Sequence, residues 1–379
     1  MTADEFRLLL VTQSVPPAPG ADPELDAVQA ELYRLDPAGS GVAAVLRDTL
    51  DQLYDGQHTG RWNYDQLHKT EKTHMGTLVE INLHRQFGFD DGDVTDYRIA
   101  GIEVDCKYSM AYGGWELPPE AVGQLCLVLT ASDIARTWSA GLIRVRADDL
   151  RGKPNRDAKR QLTAASRARI RRLWPRRGSL APNLLLGLDA ATRDRIFGAR
   201  AARGQQHGQA RTNELFRSVQ RRIIRRAELA TVAQQDDFMK RARGNGGART
   251  QLRAEGILVL GHQDSDPLIA AALGLPAPSK GEFISARVVA AQAGRDDPVA
   301  IVAGQPWALA RAGDPVVPAP VVPRKQRPGR ARPGQPQPDG QPPQPDRQPP
   351  QPDGQPPQPD GEQPQLLLDD WPDASDRHR

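Results

Sequence analysis

Residues Thr95 to Lys107, Thr-Asp-Tyr-Arg-Ile-Ala-Gly-Ile-Glu-Val-Asp-Cys-Lys, constrain this chain more than any other stretch. Apolar and β-branched residues flank Ala100-Gly101 on both sides, the pattern of a β-hairpin with a two-residue turn. Counting outward from that turn pairs Ile99 with Ile102, Arg98 with Glu103 and Tyr97 with Val104, and brings Asp96 opposite Asp105. Directly opposed Cβ atoms lie only about 4.5–5.5 Å apart, so like charges there destabilise a sheet. A divalent cation reverses that sign, because hard cations gather carboxylate oxygens. Strand alternation sets Glu103, Asp105 and Lys107 on one face and Val104, Cys106 and Tyr108 on the other. Two acids for a metal beside one lysine suit the cleavage of a phosphodiester. A solvated hairpin face with alternating charge is the other reading of the same spacing.

The chain has 379 residues, enough for two or three domains and at least one sizeable core. Its net charge of +3 conceals segregation. Residues 1–60 hold 10 acids against 3 Lys and Arg, whereas residues 151–260 hold 26 Lys and Arg against 8 acids, a net of about +18. A basic block of that size suits a polyanion partner, and the bidentate fork of arginine suits phosphates and guanine edges. A basic surface that serves only solubility is the alternative. The two cysteines, Cys106 and Cys126, lie in apolar strand-like runs and offer neither a disulfide framework nor zinc spacing. No basic segment followed by a long apolar one opens the chain, and no apolar stretch approaches the roughly 20 residues of a membrane span. A cytoplasmic protein that avoids membranes is expected.

The first part reads as an α/β layer. Asp22-Pro23 opens a helix with Leu25, Val28 and Leu32 on one face. A second helix runs from about Gly41 to Tyr54 on Val42, Val45, Leu46, Leu50 and Leu53, and a third covers Thr77 to Phe87. After the hairpin, Leu125–Leu129 has the unbroken apolar run of a central strand covered on both faces, and Trp138–Arg146 is another strand. Residues 1–165 are therefore expected to form one domain, a central mixed β-sheet flanked by helices. Arg151–Arg177, Arg-rich and broken by Gly152, Pro154 and Pro175, reads as a linker with some helix.

Residues 166–312 read as a mainly helical second domain. A long arginine-studded helix carries Leu215, Val219, Ile223 and Ile224; short helices at 227–235, 236–243 and 248–255 and a strand at Ile257–Leu260 come after it. That layout suits a winged helix-turn-helix module, with a generic helical bundle as the alternative. The stretch 313–379 is Pro-rich and repeats the unit Gln-Pro-Pro-Gln-Pro-Asp-X at Gln341–Arg347, Gln348–Gly354 and Gln355–Gly361. Such repeats cannot bury a core, and a disordered tail without catalytic role is expected.

A nuclease hairpin needs a further carboxylate from a neighbouring helix. Glu80, flanked by Leu78, Val79 and Ile81, is the candidate, and a surface Glu at the edge of an amphipathic helix is the plain alternative. Several strings around these residues are long and specific: 51–57, 66–74, 76–82, 104–109 and 118–128, then 231–237 and 260–264. They resemble the NaeI-type restriction endonucleases, type IIE enzymes that cleave one DNA site while a second copy acts as effector. The likeness spans residues 20–312 and leaves out the tail.

The resemblance implies a restriction-endonuclease-like nuclease core with Glu80, Asp96, Asp105 and Lys107 as the catalytic set and Glu80, Asp96 and Asp105 as ligands of Mg²⁺. It implies hydrolysis of double-stranded DNA at a GC-rich palindrome by a homodimer with two catalytic centres. Where the wider nuclease superfamily has Pro-Asp, this chain has Thr95-Asp96, a change that touches backbone stiffness more than ligation. It also implies an effector-DNA domain. There Gln234, Gln235, Lys240, Arg241 and Arg243 are the expected recognition-helix residues, and Arg217, Arg221, Arg222, Arg225, Arg226, Arg249 and Arg253 the expected phosphate contacts. A non-catalytic DNA-binding regulator built on the same domains is the alternative. A topoisomerase would need a tyrosine nucleophile, and nothing around Tyr54, Tyr64 or Tyr112 supports one.

Overall fold

Asp22 accepts the backbone N–H of Leu25 at 3.0 Å and Pro23 occupies the first helical position, so α1 (Pro23–Leu35) starts where its cap requires. The computed structural model describes residues 22–201, 207–292 and 294–324, without the side chains of 175–178. Helix α2 (Ser40–Tyr54) and the single turn α3 (Gly56–Thr59) come next. Helix α4 (Lys69–Phe87) begins at Lys69, well before the expected Thr77. Its start is set by a polar device that apolar spacing does not reveal: the Glu71 carboxylate takes the His68 N–H at 2.8 Å.

The strands are β1 (Asp90–Asp91), β2 (Tyr97–Ile99), β3 (Ile102–Ser109), β4 (Glu116–Leu117), β5 (Leu125–Ser132), β6 (Thr137–Arg144), β7 (Leu150–Arg151), β8 (Arg160–Leu162) and β9 (Arg171–Ser179). Six of them form one sheet in the order β1-β2-β3-β5-β6-β9, mixed because β3 and β5 run parallel while the other neighbours are antiparallel. Strand β5 is covered on both faces, as its apolar run predicts. Leu125, Leu127 and Leu129 join the helices in a core with Val28, Leu46 and Val79. Cys126 and Val128 pack into a second cluster with Trp115, Ile143 and Leu162.

The stretch expected to be a linker is structured. It carries β8, α5 (Ala164–Ala168) and β9, the last strand of the main sheet, and the first core extends to Leu180. Charged residues hide the apolar ones here: Leu162, Ile170 and Leu173 are buried between arginines.

Beyond it lie α6 (Ala190–Gly198), α7 (His207–Ser218), β10 (Ile224–Arg225), α8 (Arg226–Ala233), α9 (Phe238–Ala242), α10 (Ala248–Gln251), β11 (Ile257–Leu260), α11 (Asp266–Ala272), β12 (Glu282–Ala290), β13 (Val299–Val302) and β14 (Gln305–Leu309). The long helix expected through Ile224 ends at Ser218. Arg221 takes a left-handed φ of 63°, its N–H donates to the Ser285 carbonyl at 2.7 Å, and Ile224 pairs with Phe283 in the sheet. Ile223-Ile224 fits helical spacing, but tertiary pairing claims it for a strand. The packed chain also runs past 312, since Ala319 and Val322 are buried in the core around β12. The Gln-Pro repeats lie outside the described residues. Among the described residues no helix is long and apolar enough to cross a membrane.

A buried polar network joins the two halves. Arg47 of α2, 2% exposed, reaches Asp133 at 2.5 Å and Asp51 at 2.8 Å. Asp133 also accepts from Tyr54 Oη at 2.7 Å and Asn183 Nδ2 at 3.0 Å. Asp51 continues to Arg225 at 2.7 Å, and Arg225 to Glu228 at 2.8 Å.

The hairpin turn has positive φ at both central residues, 53° at Ala100 and 77° at Gly101, the two-residue geometry that matches strand twist. An alanine in that region is strained by roughly 1–2 kcal/mol. Ala100→Asn is therefore expected to stabilise the protein by about 1 kcal/mol, read as a higher urea midpoint at unchanged slope. A lower midpoint would contradict it.

Candidate active site

The hairpin register is the counted one: Ile99 opposite Ile102, Arg98 opposite Glu103, Tyr97 opposite Val104. Just beyond the last pair, Asp96 folds across to the partner strand. Its Oδ2 accepts the Cys106 N–H at 2.7 Å and Lys107 Nζ at 3.2 Å. The same Nζ donates to Asp105 Oδ1 at 2.7 Å and to the Cys106 carbonyl at 2.8 Å. Two carboxylates and one ammonium thus meet at one point.

Burial sets the electrostatics. It pushes the Asp105 carboxyl up to about 6; Lys107 opposes that shift and Asp96 adds to it. Burial works to lower the Lys107 pKa, but the Asp105 and Asp96 carboxylates outweigh it and hold the ammonium above its usual range. Burial raises the Cys126 thiol well above its ordinary value, so it keeps its proton, 3.6 Å from Asp105 Oδ2.

Glu103 shares the strand face but turns elsewhere. Its carboxylate takes the N–H groups of Asp93, Val94 and Thr95 at 2.9, 3.2 and 3.0 Å, which lowers its pKa to about 2. The turn that leads into Asp96 is clamped by this contact.

Glu80 is half-buried on α4, and Tyr97 Oη donates to its backbone carbonyl at 2.7 Å, tying the helix to the hairpin. Burial first, then Asp96, raises its carboxyl. Glu80 and Lys107 line one cleft of about 410 Å³ together with Ser109, Lys72 and Lys159. Sequence reasoning missed the last three. Ser109 was legible, since it lies two residues beyond Lys107 on the same strand face. Lys159 was hidden in the presumed linker.

Among the described residues no three His, Cys, Asp or Glu side chains gather into a metal cage as they stand. The donor set is instead two aspartates that converge on Lys107, which lines a cleft together with the Glu80 carboxylate. That fits Mg²⁺, which keeps several waters and is held by one or two carboxylates plus substrate phosphates.

The residues expected to touch DNA are scattered by the fold. Lys240 and Arg243 are exposed beside a separate cleft, which Arg249 also lines. Arg222 is exposed, Arg221 donates to the Ala310 carbonyl at 2.8 Å, and Arg226 lies 4.9 Å over the Phe238 ring. Arg217 is paired with Glu255, Arg241 with Asp237 and Arg249 with Asp266, while Arg253 donates to the Ala319 carbonyl. Two expectations are corrected. Gln234 and Gln235 sit between helices rather than on one, because Gln234 ends α8 in a left-handed conformation (φ 51°). Arg225 is spent on Asp51 and Glu228 in the buried network and does not face a phosphate backbone.

A mixed sheet flanked by helices, with two aspartates and a lysine meeting on one hairpin, is the architecture of a nuclease core. A family profile described as restriction endonuclease NaeI matches residues 26–318. The type II restriction enzyme NaeI of Lentzea aerocolonigenes is 62% identical over 298 residues, which cover 79% of this chain and 94% of that enzyme. The chain belongs to the NaeI family of restriction endonucleases.

Proposed function

We propose that this chain is a Mg²⁺-dependent type II site-specific deoxyribonuclease that cuts double-stranded DNA at a GC-rich palindrome and is stimulated by a second copy of its site. The observation that carries the proposal is the meeting of Asp96 and Asp105 on Lys107 Nζ. Asp96 and Asp105 would hold the metal, with Glu80 contributing directly or through a water. Bound there, Mg²⁺ supplies polarisation of the phosphoryl oxygens and a water of lowered pKa.

Lys107 keeps its proton between two carboxylates and stabilises the charge that develops on the phosphate as water attacks in line and the P–O3′ bond breaks. Glu80 orients that water from the helix side. Lys72 and Lys159 line the cleft and attract the backbone of the scissile strand. A palindrome is matched by a twofold homodimer with one such centre in each copy.

For the part of the chain beyond β9, a winged helix-turn-helix is supported by strand pairing. Strand β10 precedes the short helices α8, α9 and α10, β11 follows them, and both pair with β12. Lys240 and Arg243 are its exposed recognition candidates, with Arg221, Arg222 and Arg226 on phosphates.

Plasmid digestion tests the proposal. Defined double-strand fragments in Mg²⁺, absent in EDTA, are expected; shifted but uncut plasmid would point to a DNA-binding regulator. The same assay carries a pH prediction. Below about pH 6 the Asp105 carboxyl holds a proton that must leave before a cation binds. The Mg²⁺ concentration for half-maximal cleavage should therefore rise about tenfold per unit as pH falls below 6, and level off above it. A flat dependence would remove Asp105 from the metal site.

A further inference from the structure

Asp96 ends a stretch that has little apolar packing to hold it. Residues 92–96 join β1 to β2 without belonging to either strand, and Val94, their one aliphatic side chain, is 59% exposed. A proline just before the acid would fix the backbone φ there, but this chain has Thr95. The neighbouring strand supplies a different restraint. Glu103 Oε1 accepts the Asp93 N–H at 2.9 Å and Arg98 Nη2 at 3.1 Å. Its Oε2 accepts the Val94 and Thr95 N–H groups at 3.2 and 3.0 Å and the Thr95 hydroxyl at 2.9 Å.

These donors fill the roughly four lone-pair sites of a carboxylate, so Glu103 has no oxygen to spare for a cation although it shares a strand face with Asp105. Both Thr95 donors, the N–H and the hydroxyl, are groups that proline lacks. The stretch closes tightly on the carboxylate. A Cβ on Gly92 would stand 2.3 Å from the Thr95 carbonyl oxygen and 2.9 Å from Glu103 Oε2.

We propose that Glu103 is a positioning residue for Asp96. It holds the 93–95 turn so that Asp96 reaches the Cys106 N–H and Lys107 Nζ, and a cation meets both aspartates already in place. The inference rests on Asp96 and Asp105 holding the metal, as proposed above.

The test compares Glu103→Asp with Glu103→Gln in the full chain. Aspartate keeps the charge but loses one methylene of reach, so it separates the hydrogen-bonded restraint from simple attraction of a cation. Both variants should need about 10–100-fold more Mg²⁺ for half-maximal plasmid cleavage, the usual effect of losing a partner that orients a metal ligand. In EDTA, hydrogen exchange of peptides covering 93–96 should quicken about tenfold or more in Glu103→Asp, with the rest of the sheet exchanging as in the parent. A folded Glu103→Asp protein with the parent's Mg²⁺ requirement overturns the proposal, whatever Glu103→Gln does. So does parent-like exchange over 93–96. If Glu103→Asp does not fold, Thr95→Val, which removes only the hydroxyl donor, should raise the requirement by roughly 2–10-fold; no rise overturns the proposal. Asp105→Asn, measured beside them, tells the two readings apart. If it abolishes cleavage while Glu103→Asp is parent-like, only the positioning role falls. If it also cuts like the parent, the metal site falls with it.

Discussion

Asp105→Asn is expected to slow plasmid cleavage by about 10³-fold or more while duplex binding in EDTA stays the same or tightens. The side chain is nearly isosteric, so the buried site keeps its shape, with Cys126 on one side and Lys107 on the other. What disappears is one of two negative charges that face a single ammonium, and with it the affinity for a cation. Losing several kcal/mol of transition-state stabilisation, at about 1.36 kcal/mol per tenfold in rate, gives the stated loss. Binding should not suffer, because removing an acid from a cleft that takes a polyanion lowers repulsion. A variant that melts like the parent yet cuts within tenfold of its rate would dismantle the assignment. Reduced duplex binding in EDTA would mean instead that Asp105 has a structural role.

Arg47→Ala should be the most damaging single change away from that site. Asp133, 3% exposed, and Asp51 would lose their guanidinium together, and Arg225 would be left as the cation on Asp51. Removing one partner of a buried ion network typically costs about 3–5 kcal/mol, because the remaining charges stay desolvated. A Tm lower by about 10 °C follows for a domain of this size. The triple change Arg47→Met, Asp51→Asn and Asp133→Asn removes the charges as well as the pairing, and should recover part of the loss. A single Arg47→Ala variant that melts within about 2 °C of the parent would show that water reaches the network. Because the network runs from α2 to α8, the nuclease half and the second half should lose stability together, as one transition.

The local elements were legible where chemistry is local. The cap at Asp22-Pro23, the apolar face of α2 and the Ala100-Gly101 turn each depend on residues within a few positions of one another. The pairing out to Tyr97 and Val104 followed from the turn by counting, since a hairpin register admits no slippage once its turn is placed. Asp96 lies just beyond the last pair and reaches the Cys106 N–H and Lys107 Nζ instead. Elements that polar residues define were misjudged. The first turns of α4 depend on Glu71 capping His68, and β9 buries Leu173 among arginines. A search for apolar periodicity passes over both.

The hairpin, with its two aspartates and its lysine, was determined by the sequence alone, because its contacts span no more than a dozen residues. Tertiary structure decided the rest. It brought Glu80 and Lys159 to the same cleft as Lys107, diverted Glu103 to a turn, and turned Arg225 inward while leaving Lys240 and Arg243 at the surface. Glu103 goes to the backbone N–H groups of a turn and Arg225 to the Asp51 and Glu228 carboxylates. The physical reason is that a charged side chain goes to whichever counter-charge or hydrogen-bond donor the packed chain brings near it, and that partner can lie 174 residues away, as Asp51 does from Arg225.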